Sequence, residues 1–213
     1  AVEAVQVSYV DENNESHSVS AVPLDLTMTH LEGNQWYVAS SSITFGRGVT
    51  SASYDTIRII IPDGVTLAVG TNASPVTTAF HFGAQLCLYG QAGATGKLTI
   101  NSMSDGINIG SPIVFANIDV DVTSGGTGIF TPVSASTGSI IAGHPTNGNT
   151  VTVRSVSSGI NGGGSPVAIK YCDVDVVSQS ADGISVGGAS VTIEGLAEKG
   201  NAVTMRSSGT GIN

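Results

Sequence analysis

Val151-Thr152-Val153-Arg154-Ser155 runs on to Gly159-Ile160-Asn161. It returns 52 residues later as Val203-Thr204-Met205-Arg206-Ser207 and Gly211-Ile212-Asn213, with seven of eleven positions identical. A second pair behaves alike. Ser111-Pro112 followed by Asp119-Val120-Asp121-Val122 returns 54 residues later as Ser165-Pro166 and Asp173-Val174-Asp175-Val176. Each long repeat contains a half-repeat, an alternating strand followed by Gly-Ile. These pairs begin at Gly106, Gly128, Gly159, Gly183 and Gly211, about 26 residues apart on average. A helix-free unit of that length with two or three short strands is one coil of a β-solenoid. The L-x-x-L-x-L frame of a leucine-rich repeat is missing. A β-sandwich would space its strands at 8–12 residues without self-similarity.

One coil alone cannot bury its apolar side. Stacked about 4.8 Å apart, coils join their inward residues into columns. The expected columns are Leu98, Val120, Val151, Val174 and Val203, then Ile100, Val122, Val153, Val176 and Met205. Glycines at the bends are expected to supply positive φ.

Working outward, strands are expected at Thr56–Ile61, Val65–Val69, Ala79–Phe82, Gln85–Tyr89 and Lys97–Ile100. Before them, Val5, Val7 and Tyr9 alternate with polar residues, and Asp11 to Glu15 form an acidic turn. Val19 to Val22 follow, and together these read as a β-hairpin. The segment from Leu24 to Leu31 reads equally as a short helix or a loop. The expectation is an all-β chain: an N-terminal hairpin and cap over residues 1–40, then a right-handed parallel β-helix of about seven coils over 41–213.

Ile59-Ile60-Ile61-Pro62-Asp63-Gly64-Val65-Thr66-Leu67 resembles the I-L-x-D-G-x-T-L rung of secreted bacterial right-handed parallel β-helix proteins. Phe80-His81-Phe82 with Leu86 to Gln91, and Gly96 to Thr99, are similar to the next rungs. Such proteins occur on gut bacteria, and their fold is similar to that of pectate lyases. The resemblance covers about residues 36–213. It implies the fold, and an extracellular or cell-surface location. It says little of activity, because adhesins, binding modules and lyases share such rungs.

Composition excludes several classes. Seven Lys and Arg against sixteen Asp and Glu give a net charge of −9, and the pI is near 4.6. This disfavours nucleic-acid binding, which needs clustered cations, and a basic membrane-binding face. No run of about 18 apolar residues is present, so no membrane insertion is expected. Charged residues make up 11% and hydrophobic ones 40%, the reverse of a disordered chain. Cys87 and Cys172 are expected as unpaired thiols, Cys87 pointing out of the coil and Cys172 in.

The foremost candidate site is Asp119, Asp121, Asp173 and Asp175. Their valine neighbours face inward, so the carboxylates share one outer face. Asp121 and Asp175, two coils apart, are candidate Ca²⁺ ligands, because hard cations take carboxylate oxygens. No other cofactor is expected. Arg154, diagonally placed, would serve as base if the chain were a polysaccharide lyase. A solvated face, with Arg154 and Arg206 offsetting the carboxylates, accounts for the same residues and is preferred. Trp36 and Tyr37 read either as a sugar-binding platform or, preferably, as a cap over the first coil. Four dispersed histidines read as structural or solvent-facing. Gly90 to Lys97 approaches a P-loop, but Leu98 replaces the Ser or Thr and no helix follows, so it reads as a turn.

The leading functional expectation is a non-enzymatic secreted or cell-surface module, adhesin-like or carbohydrate-binding. A polysaccharide lyase or hydrolase of the pectin-lyase-like group is the alternative. Expected partners are a polysaccharide or a host or cell-surface protein, and an open solenoid end invites end-to-end pairing of two copies.

Overall fold

The computed structural model describes residues 3–51, 54–131, 137–196 and 200–213. Among them there is no helix. Stacked parallel strands form three sheets, a parallel β-helix of about seven coils. The second sheet has seven strands and the third has six, all parallel. The first has nine, because an N-terminal hairpin joins its end. The hairpin pairs β1 (Val5–Val10) antiparallel to β2 (Ser16–Pro23). The end of β2 then runs parallel to β3 (Trp36–Val38), matching Val22 with Tyr37 and Pro23 with Val38.

Register proves the columns. In the second sheet Leu67, Leu98, Val120, Val151, Val174 and Val203 stand in line. Two residues on, Val69, Ile100, Val122, Val153, Val176 and Met205 repeat the pattern. The 52-residue repeat therefore spans two coils. In the first sheet Tyr37, Ile59, Leu88, Phe115, Ile141, Ile169 and Ile193 align. In the third the column is Phe80, Ile107, Ile129, Ile160 and Ile184. Except in the last coil, where Ile193, Val203 and Met205 are partly or largely exposed, these side chains converge on one buried core. Each fully buried aliphatic contributes about 1.5–3 kcal/mol relative to exposure.

Glycines at bends do supply positive φ, as the sequence suggested, but the Gly-Ile glycines are not among them. Positive φ belongs to others, such as Gly64 and Gly148. The column of Gly106, Gly128, Gly159 and Gly183 is a matter of space. A Cβ on Gly128 would lie 2.2 Å from Val153 Cγ1 and 2.6 Å from the Gly159 carbonyl oxygen. At the neighbouring corner a stack of serines, Ser102, Ser124, Ser155, Ser178 and Ser207, lines up. Ser102, Ser124, Ser155 and Ser207 each donate to the carbonyl two residues ahead, at 3.0–3.3 Å. Those bonds satisfy hydroxyls that burial would otherwise leave unpaired.

The two ends differ. Residues 24–34 form turns rather than a helix, and lay Leu24 and Leu31 on the first coil. Leu31 N–H donates to the Thr50 carbonyl at 2.9 Å. At the other end Val203 and Ile212 are each 44% exposed.

Candidate binding surfaces

The Asp-Val-Asp-Val strands place their four carboxylates on the outer face of the second sheet, as parity requires. The first and second aspartates of each pair do different work. Asp119 accepts from Thr150 N–H at 2.8 Å and from Asn149 Nδ2 at 3.0 Å. Asp173 accepts from Ala202 N–H at 2.8 Å. Each thus ties its coil to the next. Asp63, Asp105 and Asp182 make the same kind of staple elsewhere, to Gly93 and Thr95, to Thr127, and to Thr210. At Asp182 the hydrogen bonds from Asn213 and Thr210 hold the carboxyl below its ordinary range.

Asp121 and Asp175 meet cations instead. Lys97 Nζ lies 3.5 Å from Asp121. Arg154 and Arg206 both engage Asp175, at 3.1 and 3.3 Å. Arg154 is therefore bound to a carboxylate, the arrangement expected of a solvated, charge-balanced face. Thr152 stands between Asp121 and Asp175 in register. Two strand spacings of about 4.8 Å separate their backbones, against Ca–O bonds of about 2.3–2.6 Å. Lys199 lies outside the described residues.

The Asp63 staple also settles the P-loop-like stretch. The N–H groups of Gly93 and Thr95, which would face a phosphate, donate to Asp63 at 2.9 and 3.1 Å.

Trp36 and Tyr37 part company. Tyr37 is buried in the coil core, and its hydroxyl accepts from Glu32 N–H at 2.8 Å. Trp36 faces outward, but it is half-buried under the hairpin rather than laid over the first coil. Its ring sits 4.7 Å from that of Tyr9 and 5.7 Å from that of Tyr89, with Arg58 over it at 5.5 Å. The hairpin lies along the outer face of the first sheet. Val10 N–H donates to the Gly90 carbonyl at 2.9 Å, and the buried Asn117 amide donates to the Val10 and Asp11 carbonyls at 3.4 Å. Cys87, Tyr89, Val114 and Ala116 form a second cluster beneath it.

Cys87 does point away from the coil interior, yet it is 4% exposed, because the hairpin covers it. Desolvation pushes its thiol up to about 11, and that of Cys172, in the coil core, to about 12. Both are free. Burial of this kind disfavours the reactive thiolate.

Sequence reading placed the acidic turn of the hairpin but missed that His17 closes on it. There Asp11, Glu15 and His17 bring ligand-type atoms within 4.8 Å of one another. His17 Nε2 lies 3.0 Å from Asp11 Oδ2 and its ring stacks on Tyr9 at 5.1 Å. Burial pushes the Asp11 carboxyl up, but bonds from the Glu15 and Asn13 backbone and from His17 outweigh it and hold it below its ordinary range. The other histidines are structural or exposed. His144 Nδ1 accepts from Thr146 N–H at 3.2 Å, His30 lies 3.3 Å from Thr50 Oγ1, and His81 is exposed between buried Phe80 and Phe82. No protein-family model, curated protein or solved structure matches this chain.

Proposed function

We propose that this chain is a non-enzymatic, extracellular or cell-surface module that binds carbohydrate or a surface protein, in the manner of an adhesin. The observation that carries this reading is the state of the second sheet's outer face. Seven parallel strands make a rigid surface about 29 Å long, counted as six strand spacings. Its aspartates are taken up in staples to backbone N–H groups and in ion pairs with Lys97, Arg154 and Arg206. Such a face suits display and multipoint polar contact better than proton transfer, which needs an acid and a base converging on one atom.

The test is a glycan and polysaccharide array read for binding and for cleavage, with and without Ca²⁺. Binding without cleavage is the expected result. Release of unsaturated products would overturn the reading in favour of a lyase. Silence on every glycan would leave a protein partner as the form of the proposal to pursue.

A further inference from the structure

The hairpin turn does not hang free. It stands over the coil corner formed by Gly143 and Pro145 and by Lys170 and Tyr171, bordering an open cavity of about 400 Å³. We propose that this cavity is a sugar-binding pocket for one neutral pyranose unit. The proposal rests on the carbohydrate reading above and gives it a location.

Its chemistry is that of a polyhydroxylated ligand. The turn supplies the Glu12 carboxylate and the Asn13 and Asn14 amides, which donate and accept. The corner supplies Lys170 and Tyr171. An aromatic residue beside hydrogen-bonding groups suits a sugar, which is apolar on its C–H face and polar at its rim.

The walls are held before any ligand arrives. Tyr171 Oη donates to Glu194 Oε1 at 2.9 Å, and Lys170 Nζ lies 3.9 Å from Glu194 Oε2. Opposite, Asp11 Oδ1 accepts from Asn13 N–H at 3.0 Å and Glu15 N–H at 2.8 Å, which sets the turn. Asn117 fastens the turn to the coil from below. Preorganisation of this kind lowers the entropic cost of binding.

The corner itself departs from what backbone geometry favours. Along it, Gly90, Asn117, Gly143 and Tyr171 occupy equivalent places, each donating its N–H to the next coil. Tyr171 holds φ +55 there, a conformation that suits Gly or Asn and not an aromatic residue. That strained residue is one of those lining the cavity.

Charge selects the sugar. Asp11 and Glu12 line the cavity with Lys170, which lies 3.9 Å from Glu194, on a chain of net charge −9. Uronates and sulfated sugars are repelled, so the ligand class is neutral pyranosides.

Two substitutions test this without harming the fold. Tyr171→Gly and Asn14→Gly both place glycine at positive φ, 55° and 65°, where it is favoured. Methyl glucoside, galactoside, mannoside and N-acetylglucosaminide, with galacturonate as the anionic comparator, are titrated into the ¹⁵N-labelled chain. At least one neutral glycoside is expected to shift the amides of Asn13, Asn14 and Tyr171. Each variant is expected to weaken that binding tenfold or more, and Tyr54→Ser, an exposed aromatic elsewhere, to leave it unchanged. Galacturonate should give no shift. Shifts confined to the second sheet, or unchanged affinity in both variants, would overturn the pocket while leaving the carbohydrate reading intact. No shift with any glycoside, beside a positive glycan array, would do the same. Silence in both experiments would sink the two together.

Discussion

The outer faces of the first and second sheets grow from the same coils and lead opposite lives. On the second, the outward column runs Thr99, Asp121, Thr152, Asp175, Thr204. It is polar and bare. On the first, the outward columns include Val38, Ile60, Tyr89 and Ala116, then Trp36, Arg58, Cys87 and Val114. These are largely apolar and covered by the hairpin. A strand buried on one face alternates, and a strand buried on both reads as a continuous apolar run. Ile59-Ile60-Ile61, Leu86-Cys87-Leu88-Tyr89 and Val114-Phe115-Ala116 are such runs. They announce a second layer, which the Asp-Val-Asp-Val strands do not.

The comparison can be broken at its strongest point. Ile60→Ala removes an outward side chain that is 0% exposed. It should cost about 2–5 kcal/mol in urea unfolding, whereas Thr152→Ala should stay within about 0.5 kcal/mol. Equal costs would mean that the hairpin does not shield the first sheet in solution.

Thiol labelling resolves the layer itself. Cys87 lies under the hairpin and Cys172 inside the coil. Tyr9→Ala removes the ring that bridges Trp36 and Tyr89. It should speed labelling of Cys87 by roughly 10- to 100-fold, as local opening becomes easier by about 1.4–2.8 kcal/mol. Cys172 should keep its slow rate. Parallel acceleration of both thiols would show one cooperative unit instead of two layers.

Acid should loosen the hairpin. The Asp11 carboxyl titrates lower in the folded chain than its ordinary value of 3.8. Its contribution is therefore fully present above pH 3.8 and is lost as pH falls through the folded value. Amide exchange in β1 and β2 should rise below about pH 4, and Asp11→Asn should flatten that rise.

The smallest effect is expected on the bare face. Asp175→Asn breaks contacts with Arg154 and Arg206, both more than half exposed. Stability should fall by less than about 1 kcal/mol, and less still at high salt.

Much of the coil was legible in residue order. The repeat located the stacked strands, and parity assigned Val120, Val122, Val174 and Val176 inward and their aspartates outward. Parity also aimed Cys87 correctly but could not bury it, since the covering residues lie near Tyr9, far away in sequence. The aspartates looked like one acidic ladder. Their actual partners, backbone N–H groups for Asp119 and Asp173 and cations for Asp121 and Asp175, depend on turn geometry that alternation does not encode. The column of glycines was visible, but its cause was not, because the crowding comes from Val153 and Val176 in the following coils.

Sequence by itself determined the stack. A coil-length repeat of Val, Ile and Gly buries its apolar side only by laying one coil on the next, and that requirement is local and periodic. Tertiary structure alone decided where the hairpin lies. It thereby decided which thiol is hidden, which sheet face is bare, and that Asn14 stands across a cavity from Tyr171. Those outcomes rest on single contacts between distant segments, which no period repeats and no neighbouring residue reports.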